Sequence, residues 1–393
     1  MPDGRVVVTG AGPVGLLAAL GLAQAGVDVT VWEARPRIAP LPYDMVYDSS
    51  VLPGFEQLGV LGELRREGVA ARSLSFRVPC TGESIVLGLD ALTGAVEYPY
   101  NLHVPPHVLT RVVADRLSAL PHARIEWGTR LTGLEQDAHG VTLVSDSPDG
   151  TRTLRSQWLV GADGAHSQVR RSLGMGFPGM TWPNRFVAAG LRVDLATLGF
   201  SPESCQIDPE HGALVGLVDP TGLWRYIYAE SRMLPEESLV DRMPAALKAG
   251  LPDGIDQTVE SWSAFRVHER AAERLRAGRV ILAGDAAHVT NPTRALGMAC
   301  GVFDAFTLAR ALAPVVRGEA DENALDRWAE DRLRAFRETA SPLSSETMRF
   351  LFHTNDEARL HSGIECYRRM AADPGLCRDY LLSGRELDGP PSY

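Results

Sequence analysis

A β-branched run, Val6-Val7-Val8, leads directly into Thr9-Gly10-Ala11-Gly12-Pro13-Val14-Gly15. Glycines at that spacing predict a buried strand, a tight turn and a helix, the helix continuing through the Ala- and Leu-rich stretch Leu16 to Ala25. Gly10 permits the turn, Gly12 lets backbone N–H groups approach a pyrophosphate, and Gly15 lets the helix pack on the strand with its positive end toward the phosphates. A second strand, Val27 to Trp32, ends in Glu33, eighteen residues after Gly15. A carboxylate there accepts hydrogen bonds from both ribose hydroxyls and disfavours a 2′-phosphate, so the expected nucleotide is FAD or NAD rather than NADP. Ala34 and Arg35 follow at the mouth of the same site.

Far along the chain, Val280-Ile281-Leu282-Ala283-Gly284-Asp285-Ala286-Ala287-His288 reads as a buried strand that delivers Asp285 to a crevice, where an acceptor carboxylate suits a polyol. A helix N-cap is the other reading of Asp285. Asn291-Pro292-Thr293 reads as a turn, and Gly297 to Leu312 as a helix whose first amides favour negative charge in front of them.

Between these segments lies Trp158-Leu159-Val160-Gly161-Ala162-Asp163-Gly164-Ala165-His166-Ser167-Gln168-Val169-Arg170. With the Gly10 turn before it and Gly284-Asp285 after it, the chain resembles the single-component (group A) FAD-dependent aromatic hydroxylases, the para-hydroxybenzoate hydroxylase-like flavoprotein monooxygenases. The three motifs stand in that family's order from end to end of the chain. The resemblance implies that Gly10, Gly12, Pro13, Val14, Gly15, Glu33, Ala34 and Arg35 bind the ADP part of FAD. It also implies that Gly284 and Asp285 hold the ribityl chain, that Pro292, Gly297 and Met298 lie at the flavin ring, and that Asp163 stabilises the site along the nicotinamide donor's route. The chain departs from the family at Arg294, where relatives have a small residue, at Ala299, where they have Asn, and at Pro106, which takes the place of an Arg or Gln.

The implied fold class is α/β: a Rossmann-like FAD-binding domain with an inserted, mostly antiparallel β-sheet substrate domain and C-terminal helices. The FAD-binding domain is assembled from residues 1–72, 100–180 and 265–320, and the substrate domain from 73–99 and 181–264. Runs such as Leu74 to Val78, Val187 to Val193, Leu214 to Leu217 and Trp224 to Tyr228 supply the inserted sheet. Residues 321–393 form a helical region, with Leu325, Trp328 and Leu333 on its inner face and Asp, Glu and Arg outside; the tail from Gly389 to Tyr393 is expected to fray.

A net charge of −10 argues against a nucleic-acid partner. No apolar stretch of about 18 residues runs free of charges and breakers, so no membrane span is expected. The first strand begins too early to leave room for a signal peptide, and five cysteines without a Cys-x-x-Cys pair suit a reducing cytoplasm without a disulfide framework or metal site. Cys300 reads as packing. The expected state is a monomer or homodimer.

The resemblance implies that NADPH or NADH and O2 are consumed to hydroxylate a phenol-like or N-heteroaromatic small molecule through a flavin C4a-hydroperoxide. Pro292, Arg294, Tyr226 and His211 are the catalytic candidates, and Tyr47, His103, Arg192 and Tyr228 can also orient a phenol. Arg294 reads either as a group on the flavin edge or a substrate carboxylate, or as an outward ion-pair residue. His288 reads as packing rather than a base. The alternatives are a non-hydroxylating FAD-binding protein and a halogenase-like oxidoreductase. A halogenase would carry a Trp-x-Trp-x-Ile-Pro segment, and a two-nucleotide-domain oxidoreductase, such as an N-hydroxylating or Baeyer–Villiger enzyme, a second glycine fingerprint for NADPH; neither is present.

Overall fold

The computed structural model describes residues 5–38, 46–252, 254–255 and 258–388; the tail expected to fray lies outside them. The β-branched run becomes the strand Arg5–Thr9, whose three valines are fully buried. It sits inside a six-stranded sheet of spatial order Arg276–Ala277, Val280–Leu282, Trp158–Gly161, Arg5–Thr9, Asp28–Glu33, Ala123–Trp127, parallel throughout except for the short first strand. Strands buried on both faces need apolar side chains on both parities, which explains the unbroken valine and leucine runs. The three motifs therefore end side by side at the same edge of one sheet.

The helix Pro13–Gln24 packs on this sheet and on the long helix Leu296–Val316. Their contact is close because Gly21 meets Ala309: a Cβ on Gly21 would come within 2.7 Å of the Ala309 methyl. Leu296–Val316 is long and apolar enough to cross a membrane, but 83% of its apolar window is buried inside the protein, as befits a core helix. A three-stranded antiparallel sheet, Arg130–Asp137, Gly140–Ser147 and Gly150–Ser156, adds Leu131, Val141 and Leu143 to the same core. No pattern in those residues distinguished it from its surroundings in the sequence.

The second large sheet has eight strands, in the order His288–Val289, Val259–Ala271, Gly179–Arg192, Leu223–Ser231, Ala213–Leu217, Glu203–Gln206, Ser73–Val78, Glu83–Gly88. All pair antiparallel except Glu203–Gln206 with Ser73–Val78. Strand alternation gives it two distinct faces. Val187, Ala189, Val215, Trp224, Tyr226 and Tyr228 pack against the helix Leu239–Gly250 through Leu239, Met243 and Leu247. Phe186, Ala188, Ile227, Phe76 and Cys205 take the opposite parity and meet the C-terminal helices Ser341–Phe352, Glu357–Ala372 and Pro374–Leu382.

The C-terminal region begins with Asn323–Ala335 and passes through a π-turn, Phe336–Ala340. Leu325 and Trp328 are fully buried, and Leu333 is half-buried. Arg332, expected outside, is instead buried at 1% exposure, because an acid on the long helix meets it in the core. The later helices are capped by their own sequence: Asp356 accepts from the amides of Ala358 and Arg359, and Asp373 from those of Gly375 and Leu376.

Candidate active site

The glycine turn is sterically committed. Gly10 has φ +98°, and a Cβ there would lie 2.3 Å from the Ala162 carbonyl oxygen; one on Gly15 would lie 2.0 Å from that of Gly10. Both contacts are with backbone and cannot give way. A Cβ on Gly12, by contrast, would meet nothing within 4 Å. No side chain caps Pro13–Gln24, so its first amides face that open space. Glu33 reaches back to the turn, accepting from the Ala11 amide at 2.7 Å and the Arg35 amide at 2.9 Å. Ala34, between them, follows the strand end.

Val14 ties the first motif to the third. Cβ atoms built on Gly284 and Gly301 would each lie 2.9 Å from its Cγ2, so Gly284, at φ +60°, and Gly301 leave the room that Val14 fills. Next to Gly284, Asp285 keeps an exposed side chain at the crevice, and no protein group among the described residues hydrogen-bonds to it. Asp163 is different. Its Oδ1 accepts from the Ser167 hydroxyl at 2.5 Å and its Oδ2 from the Gln168 and Val169 amides, so the carboxylate caps the short helix Gln168–Ser172. Arg170, stacked on Phe177, donates to the carbonyls of Ala165 and Ala286 and so fastens the second motif to the third.

Beneath Asp285 lies a buried polar network that the sequence reading missed. Asp304 accepts from the Gly284 amide at 2.9 Å and bonds His288 Nε2 at 2.8 Å through Oδ2, while Oδ1 accepts from Arg332 Nε at 2.8 Å. Arg332 also donates to the carbonyls of Leu387 and Cys300. The His288 ring stacks on Phe336 at 4.5 Å. Burial opposes charge on His288, but Cys300 and Asp304 outweigh it and hold its proton up to about 10. His288, Cys300 and Asp304 are close enough to suggest a metal. The guanidinium of Arg332 occupies the carboxylate of that set, so the donors are already spent on a cation.

Past His288 the turn is held by Asn291, whose Oδ1 accepts from the Thr293 amide and hydroxyl. The Pro292 carbonyl accepts from the Ala295 amide at 3.3 Å. Ala295 has φ +53°, the only positive φ outside glycine among the described residues, a conformation costing about 1 kcal/mol. The helix Leu296–Val316 starts here without a capping side chain, with Gly297 and Met298 half-buried in its first turn.

A cavity of about 60 Å³ opens at this helix start. Leu74, Phe76, Leu89 and Leu92 form its apolar wall, and Asp48, Asn101, Glu203, Arg294 and Tyr380 supply polar groups. The Arg294 guanidinium stacks over the Tyr380 ring at 4.7 Å and donates to Ser383 Oγ at 2.9 Å. It therefore lines the cavity while anchored to the C-terminal helix, neither directed to solvent nor free. Burial pushes the Asp48 carboxyl up. Burial also opposes ionisation of Glu203, but His103 and Asn101 outweigh it and hold that carboxyl down.

Two catalytic candidates do not reach this cavity. Tyr226 points to the other face of its sheet, with its hydroxyl on Gln206 at 3.3 Å, because it has the opposite strand parity to Ile227. His211 lies on an exposed turn held by Asp208. Tyr228 shares the face of Tyr226, Tyr47 is buried against Phe55, and Arg192 pairs with Glu260 at the surface. His103 is buried beside Glu203. Pro106 is the first residue of the helix Pro106–Ser118, and Ala299 is buried in the long helix.

The open turn at Gly12, the uncapped start of Pro13–Gln24 and Glu33 at the next strand end together fit the ADP half of a dinucleotide such as FAD. The model of the FAD binding domain family matches residues 3–341. The chain is 38% identical over 378 residues to 6-hydroxy-3-succinoylpyridine 3-monooxygenase of Pseudomonas putida, covering 96% of each chain. It is 35% identical to para-nitrophenol 4-monooxygenase of a Pseudomonas species, covering 98% of this chain and 96% of that one. The crystal structure of p-nitrophenol 4-monooxygenase from Pseudomonas putida superposes with a TM-score of 0.93 at 35% identity, covering 98% of both chains. The chain belongs to this FAD-binding family and is an FAD-dependent aromatic monooxygenase, an enzyme of FAD and O2.

Proposed function

We propose that this monooxygenase hydroxylates a small aromatic molecule that carries a ring hydroxyl, a phenol or hydroxypyridine, with NADPH or NADH as electron donor. The observation that carries this reading is the cavity beside Ala295: one apolar wall able to take a ring face, and a polar wall with Asp48, Asn101 and Glu203 able to take its hydroxyl. The relatives named for a hydroxypyridine and a nitrophenol support the substrate class.

FAD fits the crevice. Gly10, Gly12, Pro13, Val14 and Gly15 would hold its pyrophosphate, with Glu33, Ala34 and Arg35 at the ribose, and Gly284 and Asp285 would hold the ribityl chain. The open space at Gly12 and the unpartnered Asp285 carboxylate support this assignment. Pro292, Gly297 and Met298 would border the ring, where the helix start favours negative charge. Bound FAD supplies the activation of O2. The protein's own part is to exclude water with Leu74, Phe76 and Leu92, to keep Arg294 in place, and to hold the ring hydroxyl. Asp163, through its cap, would shape the second motif rather than bind directly. The nicotinamide donor would bind transiently, because a single glycine fingerprint is present, and free cysteines are in keeping with a cytoplasmic location.

The test is a screen of phenols and hydroxypyridines for faster NADPH and NADH oxidation, coupled to O2 uptake, with mass spectrometry for one added oxygen atom. A compound that accelerates oxidation and gains that atom is expected. Failure of every ring compound to do either would overturn the substrate class.

A further inference from the structure

The strand Val259–Ala271 is nearly an edge of the eight-stranded sheet. On one side it pairs along its length with Gly179–Arg192; on the other only Arg270 and Ala271 are taken, by His288–Val289. From Val259 to His268 no strand among the described residues pairs with its outer side. Burial agrees: no residue from Val259 to Arg266 is buried, whereas Phe186 to Leu191 on the neighbouring strand are buried without a break. An edge of this length presents a row of free N–H and C=O groups, and proteins cover or blunt such edges.

The side chains on one face of this edge are unusual for free surface. Trp262, Ala264 and Arg266 are the cross-strand neighbours of Ala189, Val187 and Arg185, so the three stand in a row on the face that carries the helix Leu239–Gly250. Trp262 is 44% exposed, while every other tryptophan in the chain is buried or half-buried. Arg266 is exposed and forms no ion pair among the described residues. Leu234, 39% exposed, is held at the same corner because its carbonyl accepts from Arg185 at 3.0 Å. Proline, lysine and inward charge, the usual guards of an edge, are absent from Val259 to Arg266.

We propose that this edge pairs with the same edge of a second copy of the chain, antiparallel about a two-fold axis at Ala264, and joins the two sheets into one. The sequence is complementary to itself in that register. Trp262 and Arg266 lie two residues to either side of Ala264, so each Trp262 faces the partner's Arg266, and the cation–aromatic contact is made twice. Ala264, on the axis, admits close approach of the two strands. An axis at Ser263 would instead set Arg266 against Glu260, but Arg192 already holds both oxygens of that carboxylate, at 2.8 and 2.9 Å, and Trp262 would face only an alanine. The interface is independent of the substrate reading, since it lies on the face of the sheet opposite Phe76 and Cys205.

Sedimentation of the FAD-loaded protein across micromolar concentrations tests the pairing, and a two-chain species is expected. W262R sets two guanidinium groups against each other at both contacts and should give a single-chain species with FAD content and melting temperature retained, because the replaced side chain is exposed. R266A should weaken the dimer at least about tenfold. The exchange W262R/R266W restores an aromatic ring against a cation and should recover the dimer. Mild oxidation of A264C should cross-link two chains across the axis, where facing residues come within disulfide range, with the wild type and its exposed Cys80 as control. A single-chain wild-type protein at every concentration overturns the proposal. So does a dimer that W262R leaves intact, one that the exchange fails to recover, or one that cross-links through S263C and not through A264C.

Discussion

Arg332 and Asp304 form a buried ion pair at 2.8 Å on two different helices, and the second oxygen of the same carboxylate holds His288 and the Gly284 amide. The network thereby sets the backbone that carries Asp285. Removing one partner strands a charge in the core, which costs about 3–5 kcal/mol. R332M and D304A should each lower the midpoint of chemical denaturation by a loss of that size, and D304A should also weaken FAD binding. A loss under 1 kcal/mol in both would show that the network does not support the core.

The same network gives stability a pH dependence. The His288 proton is held up to about 10 in the folded chain, above the ordinary value of about 6.5 for histidine. A raised folded value means that the stabilisation is fully present below about 6.5 and is lost as pH rises through about 10. Denaturation midpoints should therefore fall across that alkaline window, and H288Q should flatten the fall. An equal slope in H288Q would place the titrating group elsewhere.

Gly12 and Gly15 should separate binding from folding. G15A forces a Cβ into the Gly10 carbonyl, so the chain should lose stability by several kcal/mol or fail to fold. G12A adds a methyl to open space. Its apoprotein should melt like wild type while FAD affinity falls at least tenfold, read by the fluorescence of released flavin. Retained FAD affinity in G12A would move the pyrophosphate away from this turn.

Asp285 and Glu33 should differ in a similar way. Each is expected to lose about 1–3 kcal/mol of FAD binding on truncation to alanine, the scale of hydrogen bonds to a charged acceptor. Asp285 holds no protein partner among the described residues, so D285A should leave the apoprotein's melting temperature unchanged. Glu33 also accepts from the Ala11 and Arg35 amides, so E33A should lower it. Unchanged FAD affinity in both would remove them from the cofactor site.

Arg294 ties the cavity to the helix Pro374–Leu382 through Tyr380 and Ser383. R294A should speed amide exchange across that helix and weaken p-nitrophenol binding, since it frees one wall. Unaltered exchange would show that Tyr380 and Ser383 hold the segment without it.

What the sequence determined by itself was local. A valine run, glycines at fixed spacing and an acid at the next strand end dictate strand, turn and helix, because φ > 0 at Gly10 and the backbone contact at Gly15 admit no side chain. The same holds for the buried strand before Asp285. Long-range pairing was decided only by tertiary structure. Strand parity turned Tyr226 and Tyr228 toward the helix Leu239–Gly250 and away from the cavity, a choice fixed by register and not by residue type. Arg332 looked like a surface charge until the long helix brought Asp304 against it. Glu203 carried no motif at all. It became a site residue because sheet order set its strand beside Ser73–Val78 and brought it to Asn101 and His103, contacts between segments that no periodicity in the chain encodes.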